Sequence, residues 1–236
     1  MNTIFLNKEL HITFVNLALS STKNNMLRKV IAINSARKNM AAALHLEKAL
    51  EGARESGAQT EMIHLHDFNI NGCKGCMSCK MLKNLPPKRC LQNDNLAPIL
   101  EQCVSADALL VGGAIYMGGP NAYFRAFAER FIYPYFIYGS QTKTYYPRKD
   151  QKAALFFSMG CPEQALPEVK KGTEIWEMTF KALIGDVQTV NICSTQMVKD
   201  FSKYELDPVK PPAGHENTYE KTLEEAYNIG KRLGKQ

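Results

Sequence analysis

The sequence predicts an α/β domain built as a doubly wound parallel sheet, and three observations predict it. Five short apolar runs alternate with five stretches of helical periodicity, the order that crossover connections between parallel strands require. Ala108-Leu109-Leu110-Val111 is a continuous apolar run, as suits a strand covered by helices on both faces. Turns rich in polar residues or glycine follow the first and third runs, the junctions where sheets of this kind hold ligands. The 236 residues suffice for one such domain with a full core.

Residues 1–25 read as an N-terminal extension, with His11–Leu19 able to add an edge strand, and residues 26–236 as the domain. Val30–Ile33 is the first strand. The helix Met40–Ser56 places Ala42, Leu46, Ala49, Leu50 and Ala53 on one face, and Gly57 stops it. Gln59–Leu65 is the second strand; His64 and His66 at its end read as solvated rather than metal-binding. A Cys-rich loop, 72–90, follows. Asn93 or Asp94 caps a helix through Val104, and Ala106–Val111 supplies the third strand. Gly112, Gly113, Gly118 and Gly119 then turn the chain, and Pro120 opens a helix whose core face is Phe124, Phe127, Ala128 and Phe131. The fourth strand is Lys152–Ser158 and the loop Met159–Glu163 ends it. The helix Glu168–Leu183 carries Trp176, Phe180 and Leu183 at core spacing. Val187–Cys193 is the fifth strand, and a Pro-rich connector leads to the helix Glu216–Leu233, packing through Tyr219, Leu223, Ala226 and Gly230.

Lys and Arg number 29 against 23 Asp and Glu. The six excess charges are scattered, which argues for a solvated surface and against a nucleic-acid partner. No apolar run approaches the ~20 residues that span a bilayer, so no membrane partner is expected. Seven cysteines are an odd number, and Asn16 interrupts the apolar patch near the N-terminus. Both speak against a secreted disulfide framework and for a cytoplasmic protein.

Three stretches carry chemistry. Asn34–Asn39 leads into a helix with a hydroxyl at Ser35, a cationic fork at Arg37 and free N–H groups in the helix's first turn, a combination suited to phosphate; plain capping by Ser35 or Asn39 is the competing reading. Ala114-Ile115-Tyr116-Met117 lies between the third strand and its helix and suits a flat aromatic ligand. Cys73, Cys76 and Cys79 stand at strict x2, x2 spacing, with Cys90 after ten intervening residues. Four such thiolates can hold a 4Fe-4S cluster or a tetrahedral zinc, and unligated thiols fit the spacing equally. Five of the ten tyrosines fall between Tyr133 and Tyr146. That segment, 131–150, reads as an aromatic insertion: a lid over a ligand, a subunit interface or plain packing. No GxGxxG follows the first strand and no P-loop signature occurs, so dinucleotide and P-loop readings lose support.

Two motifs resemble a known family. LLVGGAIYMGGPNAYFRAFAER, residues 109–130, is similar to the flavin-ring loop and following helix of the NADPH-dependent FMN reductase and iron-sulfur flavoprotein group. Asn34–Ala42 aligns with the group's Gly-Ser-Pro-Arg-Lys-Asn-Gly-Asn-Thr turn. Ser35, Arg37, Lys38 and Asn39 match, whereas Asn34, Ala36, Met40, Ala41 and Ala42 depart from it. The missing Asn and Thr ligands leave more of the phosphate to backbone N–H groups, or weaken FMN. The resemblance implies a flavodoxin-like five-stranded sheet in the order 2-1-3-4-5 with helices on both faces. It implies FMN held by Ser35, Arg37, Asn39, Met40, Ala41 and Ala42, with its ring on Ala114, Ile115, Tyr116, Met117 and Gly118 and a third loop at Ser158 and Gly160. NAD(P)H is the implied electron donor, and a quinone, free flavin or other small acceptor, or a protein redox partner, completes the reaction in a homodimer or homotetramer. No protein acid, base or nucleophile is required, because the flavin carries the chemistry. Two alternatives stand beside this oxidoreductase: an electron carrier with a 4Fe-4S cluster on Cys73, Cys76, Cys79 and Cys90, and a redox-sensing domain without flavin.

Overall fold

The computed structural model describes residues 27–82, 88–139, 143–198, 200–206 and 215–235. The expected extension 1–25 and its edge strand, and most of the Pro-rich connector, lie outside them. Strands β1 (Lys29–Asn34), β2 (Gln59–His64), β3 (Ala108–Tyr116), β4 (Lys152–Ser158) and β5 (Asp186–Ile192) form one parallel sheet in the order 2-1-3-4-5. This is the flavodoxin-like topology expected. Helices α1 (Ala41–Glu55), α2 (Leu96–Ser105), α3 (Ala122–Ile132), α4 (Leu166–Ile184) and α5 (His215–Gly234) connect and cover it.

The period-two alternation of the strands sorts their side chains into two cores. Ile31, Ile33, Leu109, Val111, Leu155 and Phe157 face α2, α3 and α4, where Phe124, Phe127, Phe131 and Phe180 pack on them. Val30, Ala32, Leu110 and Phe156 face α1 and α5 through Leu46, Leu50, Ile229 and Leu233. Fully burying each large apolar side chain contributes about 1.5–3 kcal/mol, so both faces must be covered for the sheet to persist.

Several boundaries differ from expectation for local reasons. β2 ends at His64, because Leu65–Asp67 closes into a 3-10 turn. β3 runs on to Tyr116, and Gly119–Pro120 pairs back on it, Ile115 with Pro120 and Tyr116 with Gly119. The expected loop is therefore a tight hairpin with Met117 and Gly118 at its tip, both at positive φ, as a two-residue hairpin turn demands. Pro120 belongs to that hairpin instead of opening α3, which is capped by Asn121: its Oδ1 accepts from the Phe124 amide at 2.9 Å. Ahead of α2, Asp94 Oδ1 accepts from the Leu96 amide at 3.1 Å.

His45 is buried between α1 and α5. Its Nδ1 lies 2.8 Å from the Ala41 carbonyl, its Nε2 2.9 Å from Thr222 Oγ1, and its ring meets the edge of Tyr219. Burial pulls its pKa down to about 4, so the folded state holds it neutral while the unfolded chain takes up a proton near pH 6.5. The associated stability is complete above pH 6.5 and is lost as pH falls from there towards 4, about 3 kcal/mol in all. Urea unfolding at pH 7.5 and 5 should show about 2 kcal/mol of this loss in the parent protein and a much shallower pH dependence in His45→Gln; equal pH dependence would remove His45 as its source.

Candidate functional site

The connections that leave β1, β2, β3, β4 and β5 emerge at one edge of the sheet, because all five strands run parallel. β3 lies between β1 and β4, with Asn34 opposite Gly112 and Ala114 opposite Ser158. The three stretches singled out as Asn34–Ala42, Ala114–Gly118 and Ser158–Gly160 are thus neighbours. Ser158 is buried at the end of β4, and Gly160 is half-buried two residues on.

The turn after β1 is held from all sides. Asn34 is buried; its Oδ1 accepts from the Ala36 amide at 3.0 Å, and its Nδ2 donates to the Ala36 carbonyl and to His64 Nδ1. That contact needs His64 neutral, and burial followed by the Lys38 charge holds its pKa below the usual value. Ser35 gives both its amide and its hydroxyl to the Gly112 carbonyl, at 2.8 and 2.9 Å. The Ser35 carbonyl accepts from His66 Nε2 and Asn121 Nδ2, each at 2.9 Å, and the His66 ring lies against Tyr123. His66 is exposed, as expected, and His64 half-buried; both also tie the end of β2 to this turn. The partner identity is set by tertiary placement, which linear spacing does not encode.

Beyond Ser35 the chain turns outward. Arg37, Lys38 and Asn39 are exposed, Asn39 sits at φ 59°, and Met40 is the N-cap of α1 with no side-chain cap hydrogen bond. Neither Ser35 nor Asn39 caps the helix. The first-turn amides of Ala41, Ala42 and Ala43 therefore end a 15-residue helix with the partial positive charge that draws anions. Arg37 donates to the Met197 carbonyl in the loop after β5, a contact with no signal in the linear sequence around either residue. Lys38 pairs with Asp67 at 2.7 Å, which lowers the Asp67 pKa.

At the hairpin, Ala114 and Ile115 are half-buried, Tyr116 is more than half exposed and Met117 fully so. A non-glycine residue at positive φ stores about 1–3 kcal/mol of strain, and here it presents an apolar side chain to solvent. The tip rests on α4: a Cβ placed on Gly172 would stand 1.7 Å from the Gly118 carbonyl oxygen.

The Cys-rich segment is pinned at its ends by Arg130, the last residue of the Ala-Phe-x-Glu-Arg motif. Its guanidinium is fully buried against Asp94, at 2.6 and 2.8 Å, and also donates to the carbonyls of Asn71 and Gln92 and to Cys90 Sγ. The pair holds the Asp94 carboxyl well below the ordinary range. Cys73 and Cys76 are exposed, Cys79 and Cys90 half-buried. Burial pushes the Cys79 thiol up, with Cys90 and Cys73 adding to it, while hydrogen bonds to Ser78 draw Cys76 down. Among the described residues no group of three His, Cys, Asp or Glu side chains is arranged to hold a metal ion. Lys80 donates to the carbonyls of Tyr133 and Phe136 and lies over the Tyr133 ring, which docks the aromatic insertion on this segment. Between them and α4 lies a concavity of about 390 Å³, with Cys73, Tyr133, Phe136, Tyr138 and Trp176 in its wall.

Residues 28–176 match the model of the family described as NADPH-dependent FMN reductase. An iron-sulfur flavoprotein of Archaeoglobus fulgidus is 32% identical over 102 residues, 43% of this chain and 48% of that protein. One from Methanocaldococcus jannaschii is 33% identical over 103 residues, 43% and 51%. The matched region thus spans about half the length of these curated relatives. Among solved structures, the NAD(P)H:quinone oxidoreductase from Methanothermobacter marburgensis superposes with TM-score 0.62 at 18% identity, covering 88% of this chain and 98% of that one. An FMN-dependent NADH-azoreductase from Bacillus anthracis, in complex with FMN, gives 0.62 at 14%, covering 88% and 100%. At these identities the structures establish the fold.

The Gly172 contact has a measurable consequence. In a free helix Gly→Ala adds about 1 kcal/mol, but here the new methyl would collide with the hairpin backbone, so Gly172→Ala should lower stability by about 1–3 kcal/mol. A gain in the urea midpoint would show that the hairpin does not rest on α4.

Proposed function

The chain belongs to the NADPH-dependent FMN reductase family, and on that premise we propose that it is an FMN-dependent oxidoreductase taking electrons from NAD(P)H to a small acceptor such as a quinone or free flavin. The observation that carries this reading is the adjacency of an uncapped helix N-terminus, flanked by Arg37 and Lys38, to an exposed apolar hairpin tip. An anion site beside an apolar platform fits a molecule with a phosphate at one end and a flat ring at the other.

In this proposal the phosphate is held by Arg37, Asn39 and Met40 and by the amides of Ala41 and Ala42. Ser35 contributes as a positioning residue, since its hydroxyl is committed to Gly112. The ring is held by Ala114, Ile115, Tyr116, Met117 and Gly118, with Ser158 and Gly160 bounding the site from the neighbouring loop. FMN, when bound, supplies hydride and electron transfer. The chain's residues bind and orient it, and the α1 amides and the Arg37 and Lys38 cations set a positive potential against its negative charge. No side chain is assigned a proton-transfer role. No described helix is long and apolar enough to cross a membrane. A homodimer or homotetramer belongs to the same proposal, supported by the exposed Tyr116, Met117, Ile175 and Met178, as does a cytoplasmic location.

The second reading, an iron-sulfur flavoprotein carrying electrons, draws on the x2, x2 cysteine spacing and on the names of the curated relatives. It would place the cluster on Cys73, Cys76, Cys79 and Cys90. Iron and sulfide in anaerobically purified protein would select it.

The proposal is tested by titrating FMN into the protein while following flavin fluorescence. Binding is expected, and Arg37→Ala should weaken it by about 1.5–3 kcal/mol, the value of a charge-assisted contact, with NAD(P)H reducing the bound flavin in both proteins. Unchanged affinity in the variant would take Arg37 out of the site, and no binding by the parent protein would overturn the reading.

A further inference from the structure

Two cysteines outside the Cys-rich segment stand at the ends of neighbouring strands. The loops that follow β4 and β5 are zipped together by backbone bonds: Met159 donates to Ile192 at 2.9 Å, Ser194 to Cys161 at 2.8 Å and Thr195 to Met159 at 3.0 Å. This brings the backbone of Cys161 beside that of Cys193, with the Cys161 side chain near enough to help raise the Cys193 pKa. Cys193 is 5% exposed and belongs to the core under α4, while Cys161 packs on that core from its rim and keeps part of its surface in solvent. A single cysteine at a strand end packs as a small apolar residue. Two thiols on the paired loops of adjacent strands, one reachable from solvent and the other behind it, are placed to act as a dithiol.

We propose that Cys161 and Cys193 are a reversible dithiol-disulfide pair, oxidised by a low-molecular-weight disulfide. The Cys161 thiolate attacks one sulfur of the small disulfide, whose S–S bond breaks, and the first small thiol departs with a proton. Cys193 Sγ then attacks Cys161 Sγ in the mixed disulfide, its own proton passing to the second departing thiolate. Two protein thiols and one small disulfide become one protein disulfide and two small thiols, two electrons moving from the pair to the reagent. The order follows from placement. Burial, and then Cys161 beside it, push the Cys193 thiol up to about 11, so it serves as the resolving group and not the attacker. The bond would fasten the loop after β4 to the loop that carries the Met197 carbonyl, where Arg37 donates. The proposal does not depend on bound flavin.

The test is peptide mapping of the folded full-length protein after exposure to glutathione disulfide, blocking of remaining thiols and tryptic digestion without reductant. Cys161 and Cys193 fall in separate peptides, 153–170 and 182–199. Expected is a linked pair lighter by two hydrogens than the two peptides together, removed by dithiothreitol, in protein whose circular dichroism is unchanged. In Cys193→Ser glutathione should remain on Cys161, and in Cys161→Ser Cys193 should stay unmodified. A parent protein in which Cys161 carries glutathione with no link to Cys193, or in which only the thiols between Cys73 and Cys90 react, would overturn the proposal. So would modification of Cys193 in Cys161→Ser.

Discussion

The candidate site depends on the fixing of Ser35. This one residue spends its amide and hydroxyl on the Gly112 carbonyl of β3 and receives His66 from the end of β2 and Asn121 from the start of α3 on its own carbonyl. Each buried hydrogen bond contributes only about 0.5–1.5 kcal/mol, but breaking one partner leaves the other unsatisfied at a cost of about 1–3 kcal/mol. Four such bonds on one residue therefore leave the turn after β1 a single conformation. From that anchor the chain is forced outward through Arg37, Lys38 and the left-handed Asn39, and α1 starts without a side-chain cap. The same lock holds Asn121, whose side chain also caps α3, so the hairpin before it and the turn after β1 are positioned by shared atoms.

Much of the fold was legible because its signals are local. β4 was bounded by a switch from charged to apolar residues at Lys152 and by a glycine-containing loop after Ser158, and the apolar run at Ala108–Val111 announced a strand covered on both faces. Other features escaped because their causes are not local. Tyr116 reads as loop, yet strand pairing extends to it once Gly119–Pro120 folds back. Pro120 reads as a helix opener, yet Asn121 beside it supplies a better cap. The hydrogen-bond partners of His64 and His66 escape because nothing in their neighbourhood reveals Asn34 or the Ser35 carbonyl thirty residues away. Arg130 was visible as part of a motif, but its burial against Asp94 and its grip on both ends of the Cys-rich segment are products of α3 packing.

Asn34, Ala41 and Ala42 illustrate how a departure from a family pattern can be compensated. Where the pattern has a glycine, Asn34 uses its amide to close the turn on Ala36 and His64. Where it has polar side chains in the first helical turn, this chain has alanines, and α1 starts with no side-chain cap hydrogen bond. The cation at Arg37 and the helix N-terminus are then the chief attractions for an anion.

In the proposed function one ligand bridges the start of α1 and the tip of the β3 hairpin. Amide hydrogen exchange of the full-length protein with and without FMN tests it most directly, because amides at an uncapped helix start and an exposed hairpin tip exchange readily when free. Slowed exchange is expected at Asn39–Ala43 and at Tyr116–Gly118 together when FMN is added. Protection confined to the Cys-rich segment, with both of those stretches unchanged, would contradict it.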